Sequence, residues 1–263
     1  MLMFFAPEAY EKQMGRWSRR LAPLLVEFAQ VQDGDRVLDV GTGIGSVALT
    51  AAAGSNAAGI VGLDPATPYV QYAQRRSPDR RLRFAAGDAQ QLPFRQHSFD
   101  VCLSCLVLNF IPDAARAVGE MRRVIRPGGV VAACVWEYGG GMEMLRTFWD
   151  AVVALDPAAE PRDERHMPYC RPGELAALWK AAGFEQVEEA PLTIDMTFAS
   201  FEDYWQPFTM GQAPSGSYVF SLSPDGRARL QARLREELMR SQPSGELTLQ
   251  GRALGVRGRV PPR

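Results

Sequence analysis

Histidine is nearly absent from this chain of 263 residues, occurring only as His97 and His166, and lysine occurs only as Lys12 and Lys180. The first shortage leaves two imidazoles as candidate bases. The second removes the tyrosine–lysine pair of many nicotinamide-dependent oxidoreductases, since neither lysine sits in such a pattern. Long apolar runs are missing too. No stretch approaches the roughly 20 residues that span a membrane, and Met1–Ala6 is too short, and lacks the basic flank, for a secretion signal. Charge of one sign is also lacking: 29 basic and 30 acidic residues leave a net charge of −1, so no nucleic-acid partner is expected. Of four cysteines, Cys102 and Cys105 have finger-like spacing within one apolar strand, where residues three apart point to opposite faces. With Cys134 and Cys170 they read as buried reduced thiols. No metal is expected, and the setting reads as cytoplasmic.

What is present is a glycine turn between two regular elements. Val37, Leu38 and Val40 form a strand pattern, Ile44 to Ala53 a helix, and Gly41, Gly43 and Gly45 lie between. Glycine accepts positive φ and, lacking Cβ, lets a ligand lie against the main chain; close packing of strand on helix is the alternative reading of such a turn. A second strand, Gly59 to Leu63, ends at Asp64, nineteen residues past Gly45. That spacing sets an acid at the neighbouring strand's carboxyl end, where a ribose diol would donate to it. A third strand, Leu82 to Ala86, runs into Gly87-Asp88-Ala89. The pattern is G-x-G-x-G, with Ser46 where a dinucleotide fingerprint wants its third glycine. Asp39 precedes it, a charge hostile to a diphosphate and suited to a ligand bearing an ammonium and a sulfonium.

With these motifs in order, the chain resembles the class I S-adenosylmethionine-dependent methyltransferases, in particular those of quinone biosynthesis and natural-product pathways. The likeness is firm over about residues 10 to 136 and includes Ser98-Phe99-Asp100-Val101 at the fourth strand and Arg123 to Gly129 at the turn into the fifth. It implies S-adenosylmethionine as cofactor. Gly41, Gly43 and Gly45 would pass its methionine part, with Asp39 favouring the ammonium. Asp64 would take the ribose hydroxyls, Pro65 would pack on the adenine, Asp88 would accept from its amino group, and the Ala89 amide would donate to the ring. The Ser104, Cys105 and Leu106 strand end would face the methionine moiety. On the amino-terminal segment, Tyr10, Arg16 and Trp17 would close the site, Arg16 pairing with the cofactor carboxylate.

Alternating patterns through Trp136 imply an α/β, Rossmann-like doubly wound sheet, mostly parallel and covered on both faces. Helices are read over Arg19–Ala29, Pro68–Arg76 and Asp113–Val124. Past Trp136 come a helix Met142–Leu155, an irregular stretch to Cys170, a helix Leu175–Ala182 closed by Gly183, and a strand Phe184–Phe198. Residues 199 to 243 read as a helical insertion, followed by a last strand, Leu247–Val260. The resemblance makes the last two strands an antiparallel edge. The organisation is thus an amino-terminal helical segment, 1–30; a core, 31–198 and 244–263, with a lid segment, 138–170; and the cap, 199–243.

Cap and lid aromatics and methionines, including Met14, Met142, Met144, Phe148 and the Phe201–Met210 cluster, imply an apolar acceptor pocket if they are not simply lid core. The reaction expected is in-line methyl transfer to a small, largely apolar or aromatic acceptor, driven by positioning and exclusion of water. His166 is the candidate base, with Phe4, Phe5 and the lid tyrosines behind it, and a solvated loop residue is its alternative reading. A nicotinamide oxidoreductase and a cofactor-binding protein without transferase activity are the other functions weighed. The atom methylated and the oligomeric state are open.

Overall fold

The computed structural model describes residues 7–211, 213–241 and 245–262. Met1–Ala6, with Phe4 and Phe5, and the insertion's far boundary at 242–244 lie outside the described residues. The sheet has seven strands: β1 (Arg36–Val40), β2 (Gly59–Asp64), β3 (Leu82–Ala86), β4 (Phe99–Cys105), β5 (Ile125–Trp136), β6 (Glu185–Phe198) and β7 (Leu247–Arg259), in the order β3-β2-β1-β4-β5-β7-β6. β1 to β5 are parallel, and β7 is antiparallel to both neighbours. The sheet is therefore mostly parallel, and its reversed strand β7 lies one place in from the edge strand β6. Strands buried on both faces are aliphatic throughout: Val37, Leu38, Val40, Leu103, Val131 and Ala132 are all fully enclosed, as parallel sheets require.

The helices covering the sheet are α1 (Pro7–Tyr10), α2 (Arg16–Phe28), α3 (Ser46–Gly54), α4 (Thr67–Arg76), α5 (Ala114–Val124), α6 (Glu143–Leu155) and α7 (Glu174–Ala181). Between β6 and β7 come α8 (Phe201–Trp205), a 3-10 turn Gln206–Met210, α9 (Ala213–Ser221) and α10 (Pro224–Ser241). Local chemistry sets their ends. Asp113 caps α5 by accepting from the Arg116 amide at 2.9 Å, satisfying an orphan first-turn donor, and Gly183 follows α7 at φ +79°, the left-handed position glycine favours.

Two elements begin earlier than periodicity implies. α2 starts at Arg16 rather than Arg19, because α1 and a π-helical turn, Glu11–Gly15, run into it without leaving helical dihedrals. Pro23 consequently falls inside the helix, and burial of Trp17, Leu21, Ala22 and Leu25 offsets the lost backbone bond. β5 starts at Ile125: Ile125 pairs with Phe99, the register slips, and pairing resumes at Val130 with Val101. Arg126–Gly129, expected as a turn before the strand, is thus the irregular part of it. Among the described residues, no helix is long and apolar enough to cross a membrane.

Candidate active site

At the carboxyl end of β1 the chain turns through Gly41 at φ +75°, Gly43 at +52° and Gly45 at +85°. The three glycines serve different ends. A Cβ on Gly41 would stand 2.4 Å from Val107 Cγ2, one on Gly45 would press on Ala73 and Phe84, and one on Gly43 would meet nothing within 4 Å. Gly41 and Gly43 line a cavity of about 320 Å³ and Gly45 does not. Gly45 is there for packing against α4 and β3.

One end of the cavity is this turn, with Asp64, Pro65 and Ala66 from the end of β2 and Cys105, Leu106 and Val107 from the end of β4. Asp64 accepts from the Gly43 amide and the Ala66 amide, each at 2.9 Å, so one carboxylate ties the turn to β2. Each of its oxygens keeps a further lone pair. Burial pushes its carboxyl above the usual range, and the two amides pull against that. Leu106 is a non-glycine residue at φ +63°, a strained conformation of the kind met at ligand sites. Tyr10 and Met14 close this end from the amino-terminal segment. Burial pushes the Tyr10 hydroxyl up to about 12, so it stays protonated at neutral pH.

The other end is walled by Phe110, Ile111, Trp136, Tyr138 and Leu145, and by Ala213 and Ser215 of the insertion. Among them is a second acid, Glu164, only 2% exposed. Among the described residues, two carboxyl groups and no lysine, arginine or histidine line the cavity. That polarity suits a cationic ligand and repels a diphosphate.

Other residues singled out from the sequence stand elsewhere. Asp39 is buried off the cavity, accepting from Thr42 Oγ1 at 2.6 Å and the Ala48 amide at 3.1 Å; it braces the turn and the start of α3. Burial pushes its carboxyl up to about 7. Arg16 pairs with Asp203 at 2.9 Å, lies over Trp17 and Phe198, and does not line the cavity. Trp17 and Ser104 are core. Asp88 bonds the Gln90 amide at 2.8 Å, and Ala89 is buried; neither lines the cavity. His166 is exposed, with Nε2 2.7 Å from Glu160 Oε1. The lid residues Met142, Met144 and Phe148 are core, Phe148 stacking on Phe208 with ring centroids 4.4 Å apart. Cys105 Sγ lies 3.6 Å from Cys134 Sγ.

Against known proteins, a family profile described as "Methyltransferase domain" matches residues 38–133. A demethylmenaquinone methyltransferase of Roseiflexus sp. is 34% identical over 166 residues, covering 58% of this chain and 68% of that protein. The chain belongs to the class I S-adenosylmethionine-dependent methyltransferase family. Another member-like relative, an uncharacterized protein of Mycobacterium tuberculosis, is 34% identical over 146 residues, 53% of each chain. The chain spans about half the length of the curated relatives of that group. In structure, this methyltransferase-family chain resembles Haemonchus contortus phosphoethanolamine N-methyltransferase 2 in complex with S-adenosyl-L-methionine, with a TM-score of 0.60 at 20% identity, over 98% of this chain and 57% of that one. It also resembles the [4+2]-cyclase SpnF, with a TM-score of 0.58 at 21% identity, over 93% of this chain and 81% of that one. At such identities the likeness concerns the fold.

Proposed function

We propose that this chain is a methyltransferase that binds S-adenosylmethionine at the Gly41–Gly43–Asp64 end of its cavity and methylates a small, largely apolar or aromatic acceptor at the other. The observation that carries this is the continuity of one cavity from the glycine turn to the apolar wall of Phe110, Ile111, Tyr138 and Leu145. The cofactor end fits its ligand on three counts. Gly43 leaves open space where a side chain would stand, Asp64 has lone pairs left for a diol, and among the described residues no basic group lines the cavity to repel a sulfonium.

When bound, the cofactor supplies a methyl group on a positively charged sulfur. The chain's own part is to position and to dry. Pro65, Leu106 and Val107 pack beside the turn, and Tyr10 and Met14 bring the amino-terminal segment across it. Ala213 and Ser215 bring the insertion over the acceptor end, so that water is excluded from a step in which charge disappears. A thermal-shift comparison tests the cofactor: S-adenosylmethionine should raise the melting temperature and NADH should not. Transfer of a labelled methyl group from S-adenosylmethionine to a component of a metabolite extract tests the reaction. Binding without any transfer would favour the non-transferase reading that the fold of the cyclase SpnF also allows.

A further inference from the structure

Glu164 opens the short 3-10 turn Glu164–His166 between α6 and α7, and its side chain is sealed from solvent yet faces the cavity. Trp149 Nε1, on α6, donates to its Oε2 at 2.6 Å and fixes the carboxyl in place. The adjoining Asp163 takes Arg146 at 2.5 Å and Arg165 at 2.7 Å, so both guanidiniums are spent on the neighbour. The titratable groups around Glu164 are Tyr138 after β5, Arg146 on α6, Asp163, and Cys170 ahead of α7. None of them hydrogen-bonds its carboxyl.

Three residues lining the cavity carry a buried polar atom with no partner among the described residues: Ser215 Oγ of α9 and Trp136 Nε1 at the end of β5 belong to this end, and the Tyr69 hydroxyl of α4 is the third. Each unmade bond at a buried polar atom costs on the order of 1–3 kcal/mol. A fixed carboxyl and two unpaired groups, set in an otherwise apolar wall, are the arrangement of a site that orients a ligand by its few polar atoms.

Resting on the methyltransferase reading above, we infer that Glu164 receives the proton of a ring-borne hydroxyl, so that the acceptor is a phenol or enol whose second oxygen is bound by Ser215 and Trp136. The hydroxyl oxygen forms its bond to the methyl carbon as the methyl–sulfur bond breaks, the electron pair of that bond neutralising the sulfonium. The hydroxyl proton passes to Glu164 and goes to solvent after the product leaves. Burial pushes the Glu164 carboxyl up to about 7, with Trp149 pulling against it, which matches a base working near neutral pH. A phenol, which like the tyrosine side chain ionises near about 10, is within reach of such a base. An aliphatic alcohol, close to water's roughly 15.7, is not. His166, the base expected from the sequence, is two residues away, on the surface and bonded to Glu160.

Fluorescence titrations of 2-naphthol, 2-methoxynaphthalene and 2-naphthylmethylamine test this on the full chain saturated with S-adenosylhomocysteine, for the wild type and Glu164→Gln. Glutamine keeps an oxygen for Trp149, so the fold is retained, and calorimetric affinity for S-adenosylhomocysteine checks that it is. In the wild type 2-naphthol should bind about tenfold or more tighter than its methyl ether, with the preference growing as pH rises from about 5 to about 8. In Glu164→Gln the preference and its pH dependence should vanish while S-adenosylhomocysteine binds as before. Equal affinity of naphthol and ether in the wild type, undetectable naphthol binding, a preference that survives in Glu164→Gln, or tighter binding of the amine would each overturn the inference alone. Failure of both proteins to bind S-adenosylhomocysteine would overturn the methyltransferase reading, and the inference with it.

Discussion

The two ends of the cavity are built by different means. The glycine-turn end is made of consecutive strand ends, β1, β2 and β4, and its polar contacts run largely through backbone, as where Asp64 holds the Gly43 and Ala66 amides. The other end is made of side chains scattered from residue 110 to residue 215, on turns, helices, a strand end and an insertion; Glu164 is bonded there to Trp149, while Ser215 Oγ and Trp136 Nε1 have no partner among the described residues. On the function proposed above, the first would be a cradle for one ligand and the second a chamber whose chemistry rests on a few replaceable side chains. Such a division lets a shared fold keep one cofactor and vary its acceptor.

The largest effect should come from Asp64→Ala. It releases the Gly43 and Ala66 amides and, on the function proposed above, would remove the acceptor of a ribose diol; charge-assisted bonds of this kind are worth about 1.5–3 kcal/mol each. Affinity for S-adenosylhomocysteine, measured by calorimetry, should fall about a hundredfold or more, while naphthol-type ligands at the other end are affected little. An equal loss at both ends would mean that the cavity is one cooperative unit.

Next is Gly41→Ala, which tests whether the turn is needed for packing as well as for the ligand. The new Cβ meets Val107 at 2.4 Å and the backbone is held at φ +75°. Overpacking plus a left-handed alanine should cost about 2–4 kcal/mol in denaturant unfolding. Gly43→Ala meets nothing within 4 Å, so its smaller stability cost should come with a loss of cofactor affinity. If the two variants behaved alike, the distinction between a packing glycine and a ligand-facing glycine would fail.

The same contrast explains what was legible in the sequence. The parallel sheet, the order of its elements and the Gly41, Gly43, Asp64 and Pro65 corner follow from local signals, because strand, turn, helix and strand fix spacing over a short stretch. Asp39 and Gly45 belong to the same motif, yet nothing in the pattern separates a residue that faces a ligand from one that braces the turn; that depends on Ala73, Phe84 and Ala48 lying behind it. Glu164 was invisible for another reason. It sits among charged residues in Asp163-Glu164-Arg165-His166, which reads as a solvated loop, and only tertiary packing of Trp149 and Tyr138 puts that one carboxyl inside. His166, the candidate base read from the sequence, is exposed and pairs with Glu160. The reversal at β7, one strand in from the edge, likewise depends on how the insertion returns the chain.

Two acids are almost wholly buried, Asp39 behind the turn and Glu164 in the chamber, and burial raises both to about 7. With folded values above the unfolded ones, these two carboxyls hold more protons in the native state than in the unfolded chain between about pH 4 and 7, so their contribution to stability falls as pH rises through that window. Glu164→Gln should therefore match the wild type near pH 4 and exceed it by roughly 1–3 kcal/mol near pH 8 in urea unfolding. Asp39→Asn should gain less, because the carboxylate it loses accepts from Thr42 and Ala48. A stability gain at Asp39 as large as that at Glu164 would mean that the brace contributes nothing.

The smallest effect separates a sequence expectation from the structure most cleanly. Arg16 lies next to the segment that closes the cofactor end, and its charge is the natural partner for a carboxylate there. It is instead bonded to both oxygens of Asp203, at 2.9 and 3.0 Å, and lies over the rings of Trp17 and Phe198. Both side chains are about a third exposed, so the pair should be worth no more than about 1 kcal/mol, with a comparable share from the stacking. Arg16→Met, which keeps much of the packing, should lower stability by about 1 kcal/mol and leave S-adenosylhomocysteine affinity unchanged. A tenfold weaker cofactor affinity would return Arg16 to the site and imply that the amino-terminal segment moves when the ligand arrives, with Asp203 giving up its partner.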